Sequence, residues 1–146
     1  MYYLLQHLTF LEKRMRTIRY LPHAFEYYAA KQMSLFHKTP FYVYQDISPI
    51  QKQQFGFPIE YKVVNLADEN FTHIAQVKYY GHEKNINYET LSTFLGTPIL
   101  VGKKDITMTL IRTQHFVLHP ELQKIVDRCD ITDFKLCSTE FLKEVL

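Results

Sequence analysis

The chain is expected to fold as α+β: a single globular domain over residues 1–146, with a mostly antiparallel sheet, two N-terminal helices, and helices packed on one side. Three observations predict it. Leu4, Leu8, Leu11, Met15 and Ile18 recur at helical spacing and make one apolar stripe. Ile59, Tyr61 and Val63 alternate with Glu60 and Lys62, as a half-buried strand does, and Ile106 to Arg112 also reads as strand. Most links between strand candidates are too short for the crossover that parallel pairing needs.

The elements follow in order. Lys13, Arg14 and Arg16 lie off the first helical stripe, and Met1 to Leu5 reads equally as helix or short strand. Pro22 stops that helix and suits the first turn of the next, whose face is Phe25, Tyr28, Ala29, Met33 and Phe36. Phe41 to Gln45 is strand-like by its aromatic and β-branched content. Ser48-Pro49-Ile50-Gln51 is a capping box with proline at the first helical position. Ile59–Val63 and the longer Phe71–Tyr80 are the next strands. Asn87 is expected to cap a helix over Tyr88–Leu95, with Gly96 as its left-handed stop. Pro98–Val101 and Ile106–Arg112 read as a hairpin about Gly102-Lys103-Lys104-Asp105, and Phe116–Leu118 as a further short strand. Pro120 opens a helix carrying Leu122, Ile125, Val126 and Cys129. Ile131 to Leu136 is a strand, and Ser138 caps a terminal helix with Phe141, Leu142 and Val145 inward. Leu122, Ile125, Val126, Phe134 and Leu136 are expected in one main core.

Composition bounds the function. Of 146 residues, 47% are hydrophobic, with 11 Tyr, 11 Phe and no Trp, which excludes a disordered chain. Net charge is +2, unevenly spread: residues 1–38 hold six basic and two acidic side chains. A basic first third suits an acidic partner or a phosphate backbone, or is simply a solvated helix face. The two cysteines, Cys129 and Cys137, form no disulfide framework and no metal spacing. Polar Gln6 and His7 interrupt the N-terminus where a signal peptide needs an apolar run, and no stretch approaches a membrane span, so a cytoplasmic protein without membrane contact is expected.

Little in the chain resembles a catalytic motif. His115 and His119 are spaced four apart, but Phe116 to Leu118 reads as strand and no Glu follows His115, so no zinc site is expected. His119 instead caps the following helix or meets solvent. Asp127, Asp130, Asp133 and Glu140 gather about a turn, where Asp is common. No phosphate-cradling glycine loop and no nucleophile elbow occur. The expectation is therefore no catalytic, cofactor or metal residue. Tyrosine is the remaining signal. Eleven rings cannot all hide, and adjacent Tyr79 and Tyr80 in a strand must face opposite ways. Exposed Tyr beside Lys or Arg suits a protein interface or single-stranded nucleic acid. Arg14, Arg16, Tyr42, Tyr44, Tyr79 and Tyr80 are the candidate binding residues.

The segment Leu100 to Leu142 resembles the C-terminal part of small bacterial immunity proteins, the inhibitors of polymorphic or contact-dependent toxins. Val117-Leu118-His119-Pro120-Glu121-Leu122-Gln123-Lys124-Ile125 stands where that group has its strand-to-helix passage. Ile131-Thr132-Asp133-Phe134 stands at its closing strand, and Met1-Tyr2-Tyr3-Leu4-Leu5 is similar to its Tyr-rich opening. The resemblance implies a binding protein, not an enzyme, that occludes a cognate toxin domain. The alternative is a small phage or mobile-element protein that binds a host protein or nucleic acid through the basic first helix. A Cys/His-dependent enzyme ranks third. Nucleic acid is not the expected partner of the leading reading.

Overall fold

The computed structural model describes residues 2–54, 63–79, 88–103, 105–114 and 118–146. Two long helices open the chain, α1 (Tyr2–Thr17) and α2 (Leu21–His37). Tyr2 to Leu5 are thus helix, and the stripe read from Leu4 onward places Leu11 and Met15 fully inside. Pro22 occupies the first turn of α2, where its missing N–H costs nothing. Lys38, in the left-handed conformation (φ 55°), ends α2 by donating its N–H to Ser34 O. Strand β1 (Phe41–Val43) follows, then a 3-10 turn over residues 44–46 and α3 (Pro49–Gln54). Ser48 forms the N-cap half of the capping box: Gln51 N donates to Ser48 Oγ at 3.2 Å, and Ser48 Oγ donates to Gln51 Oε1 at 3.4 Å.

β2 (Leu66–Asp68) and β3 (His73–Lys78) form a hairpin. Then come α4 (Tyr88–Leu95), α5 (Thr97–Val101), β4 (Thr107–Thr113), α6 (Pro120–Arg128), β5 (Ile131–Leu136) and α7 (Ser138–Val145). The α+β class is borne out, but the sheet is mixed rather than mostly antiparallel. Its order is β1-β2-β3-β4-β5; the first two pairings are antiparallel and the last two, over six residues each, parallel.

The cause of that difference lies at residues 97–101. Of these, Pro98–Val101 read as a strand because Ile99, Leu100 and Val101 are apolar and partly β-branched. They form a helix that continues from α4, with Thr97 Oγ1 donating to Thr93 O at 3.2 Å. Gly96 is right-handed (φ −80°), not the expected left-handed stop. That stop is Gly102 (φ 68°), a conformation that favours glycine. The supposed hairpin is therefore a helical crossover from β3 to β4. A second crossover, α6, joins β4 to β5.

Both crossovers step the same way across the sheet, so a common handedness puts both helices on one face. There Leu91, Phe94, Leu122 and Val126 pack on Ala67, Ile74 and Leu110. The opposite face is covered by α1, α2 and α7, where Phe25, Tyr28 and Phe141 pack on Phe41, Ala75, Val77 and Ile111. Helices thus flank both faces, not one. The expected single core divides accordingly: Leu122, Val126 and the half-buried Ile125 belong to the crossover face, Leu136 and the half-buried Phe134 to the other.

Smaller expectations divide as well. His119 caps α6, its Nδ1 accepting from Glu121 N at 3.2 Å. Ser138 does not cap α7; Cys137 stands at the cap position without a side-chain bond. Val63 lies in a turn, and Leu118 is outside any strand. The rest of the Ile59–Val63 strand, the Asn87 cap, Tyr80 and residues 116–117 lie outside the described residues.

Candidate functional site

The three parallel strands β3, β4 and β5 end side by side, at Lys78, at Arg112 and Thr113, and at Leu136. A crossover helix runs back against its strands, so α4 and α6 both begin at this edge. Here that edge is polar where a covered strand is expected to be apolar. Gln76 is fully buried, and Lys78, two residues on and on the same side, is half-buried.

The hydrogen bonding at this end is incomplete. Gln76 Nε2 donates to Val63 O at 3.1 Å, but its Oε1 has no partner. Thr113 Oγ1, at the end of β4, is likewise buried without one. A buried polar atom left unpaired costs about 1–3 kcal/mol. Among the described residues these are the two such side-chain atoms; they stand toward the carboxyl ends of neighbouring parallel strands, Gln76 on the crossover face and Thr113 on the opposite one.

Charge gathers around them. Burial pushes the Lys78 ammonium below the usual lysine range, and the Glu26 carboxylate of α2 offsets part of that. Glu26 is itself buried and accepts from His23 Nδ1 at 2.7 Å, while the other ring nitrogen of His23 accepts from the Gln45 amide at 2.7 Å. Asn65, just before β2, accepts from Val77 N through Oδ1 at 2.6 Å, which brings a third amide beside the end of β3. Arg112 is the register neighbour of Lys78. Its guanidinium grips Asp133 of β5 with two bonds, Nε to Oδ1 at 2.9 Å and Nη2 to Oδ2 at 2.7 Å. The edge therefore carries a half-buried ammonium beside a buried guanidinium, with a buried carboxylate and two buried amides at hand.

The residues singled out by sequence do not converge here. Arg14 lies over the Tyr27 ring at 5.2 Å, and Tyr27 Oη donates to Asp46 at 2.7 Å. Arg16 reaches Glu12 at 3.8 Å and the carbonyl of Glu144 at 3.4 Å, while Lys31 pairs with Glu12 and Glu144 at 2.8 and 2.7 Å. Three of the six basic side chains of the first third, Arg14, Arg16 and Lys31, are thus tied within the chain. Tyr42 Oη shares a 2.7 Å hydrogen bond with Tyr3, and burial raises its phenol above the usual range. Tyr44 is buried, with Lys52 Nζ 4.4 Å from its ring centre. Tyr79 packs against Phe25 and Phe141.

Glu26, Asn65, Gln76, Lys78 and Arg112 were not singled out by sequence. The available signal was Gln76 and Lys78 alternating with Ala75 and Val77, which reads as a solvent face until both sides of the sheet are known to be covered. No group of three or more His, Cys, Asp or Glu among the described residues is arranged to hold a metal ion. No helix among them is long and apolar enough to cross a membrane. No family model, curated protein or solved structure matches the chain.

Proposed function

We propose that the chain is a binding domain for a phosphate-bearing ligand, in the first place a polynucleotide backbone, seated at the carboxyl ends of β3 and β4. The observation that carries this is Lys78: a cation held partly out of water on the same sheet face as Gln76, whose buried Oε1 has no partner. An arriving phosphate adds to the counter-charge that Glu26 supplies only in part. Arg112 stands one strand away, about 4.8 Å across the sheet. Binding rather than cleavage is the reading. Among the described residues no nucleophile is paired with a base at this edge, and Glu26 is engaged by His23.

Fluorescence anisotropy with single- and double-stranded oligonucleotides at low and moderate salt tests this. Binding that weakens with salt is expected, and Lys78→Met should weaken it about tenfold while lowering the salt slope by about one. Absence of binding at low salt, or full binding by Lys78→Met, would refute it.

A second reading, an immunity protein that occludes a cognate toxin domain, is favoured by a different observation. Tyr2, Tyr3, Leu5 and Phe10 of α1 are exposed, and so are Ile99 and Leu100 of α5. Large exposed apolar side chains of this kind serve as interface anchors. Co-expression pull-down with the products of neighbouring genes tests it. Failure to retain a toxin domain, together with growth arrest on co-expression, removes this reading.

A further inference from the structure

Strand β5 ends the sheet on one side, so one of its hydrogen-bonding edges has no neighbouring strand among the described residues. The register tells which residues face outward. Leu136 pairs with Thr113, and Gln114 N donates to Leu136 O at 3.0 Å. In a parallel strand the N–H and C=O of one residue point to the same side. Leu136, Phe134 and Thr132 therefore bond toward β4, and Ile131, Asp133 and Lys135 turn their peptide groups outward. Ile131 N is taken up by Cys129 O at 2.8 Å. Among the described residues the peptide groups of Asp133 and Lys135 meet no strand on that edge.

An edge of this kind accepts another strand, and the order of side chains says which. Two copies of Ile131–Leu136 laid antiparallel and centred on Phe134 oppose Asp133 of each copy to Lys135 of the other. Both are outward-bonding residues, so each such pair exchanges two main-chain hydrogen bonds and sets Lys135 opposite the Asp133 carboxylate, which Arg112 of its own copy also holds. Phe134 then faces its own counterpart in the position where side chains approach most closely. Centring on Asp133 or on Lys135 would instead set like charges opposite one another, which is unfavourable. An apolar flank extends the contact: Phe134 is half-buried, and the exposed Phe36 ring lies 5.9 Å from it.

We propose that the chain pairs with a second copy of itself by antiparallel β5–β5 addition centred on Phe134, making one sheet continuous through both copies. A single strand pair is small beside the area of a permanent interface, so the dimer is reversible. The proposal is independent of the ligand read above.

Sedimentation velocity from low to high micromolar protein tests it, with three variants. The natural chain should shift from monomer to dimer as concentration rises. Lys135→Pro deletes an outward N–H that no strand of its own sheet uses, a position where proline is tolerated. It should remain monomeric with an unchanged circular dichroism spectrum. Lys135→Glu, which leaves the backbone intact, should weaken association at least about tenfold through like-charge opposition. Phe134→Cys should form a dimer through its introduced thiols on mild oxidation, mapped by peptide mass apart from Cys129 and Cys137. A natural chain that stays monomeric, a dimer that survives both Lys135 variants, or a thiol at 134 that never links two copies would each overturn the proposal.

Discussion

The two ends of strand β3 hold polar side chains in opposite ways. At its amino end the polar side chains pair with one another and with the backbone. The Asp68 carboxylate accepts from Thr72 N at 2.7 Å, from His73 N at 3.0 Å and from the Thr72 hydroxyl. His73 Nε2 bonds Thr109 Oγ1 at 2.7 Å, and its ring sits edge-on to Phe41 and His37. His7 Nε2 donates to Phe41 O at 2.6 Å. At the carboxyl end Gln76 and Thr113 keep unpaired oxygens and Lys78 is a half-buried cation. Polar groups built for stability close their own hydrogen bonds. Groups built for a ligand leave capacity open, and that costs stability until the ligand arrives.

Removing side chains should therefore act with opposite sign at the two ends. The largest effect belongs to Phe41, which is 1% exposed and touched by His7, His37 and His73. Phe41→Ala should cost about 3–5 kcal/mol in urea unfolding. A loss below about 1 kcal/mol would show that the amino end is not a packed unit. Next comes acid. Burial, and then the nearby His37, hold the His73 imidazole down to about 4, against 6.5 for a free one. The unfolded chain binds that proton more readily, so the stability is present above pH 6.5 and is lost as pH falls toward about 4. His7 is shifted downward by burial too and adds in the same direction. Thermal melts across this range should decline steadily. In His73→Gln, which retains a partner for Thr109, the decline should be shallower. An unchanged slope would mean that His73 is not held neutral.

The smallest and most discriminating change lies at the other end. Lys78→Met removes a half-buried cation and keeps its volume. It should raise stability by about 0.5–1 kcal/mol while weakening ligand binding. A clear loss of stability would make Lys78 structural, like His73, and would end the contrast.

The same contrast explains what was legible in the sequence. Both N-terminal helices, β5 and the capping box were readable because each depends on local spacing: the stripe from Leu4 to Ile18, Pro22 in a first turn, Ser48 before Gln51. The sheet's direction was not. It turned on residues 97–101, whose apolar run has no period of its own; the preceding helix decides its form. Once those residues are helix, a hairpin becomes a crossover, and a one-sided sheet becomes a covered one. β2, three residues long, is too short to show alternation. The site was lost with the topology. Gln76 and Lys78 look like an ordinary solvent face, and only the helices on both sides turn them into buried polar groups. The Tyr and Arg candidates were chosen for residue type, and their partners, Tyr27 for Arg14 and Tyr3 for Tyr42, lie far away in the chain.

The most direct test of the central contrast is a titration of isotope-labelled protein with a short oligonucleotide at low salt, followed by amide and side-chain nuclear magnetic resonance. Shifts should concentrate at the Gln76 side-chain amide, Lys78, Arg112 and Thr113, while His73, Phe41 and Thr109 stay still. Shifts centred on the His73 end or on α1, or none at all, would contradict the assignment of the carboxyl end as the binding site.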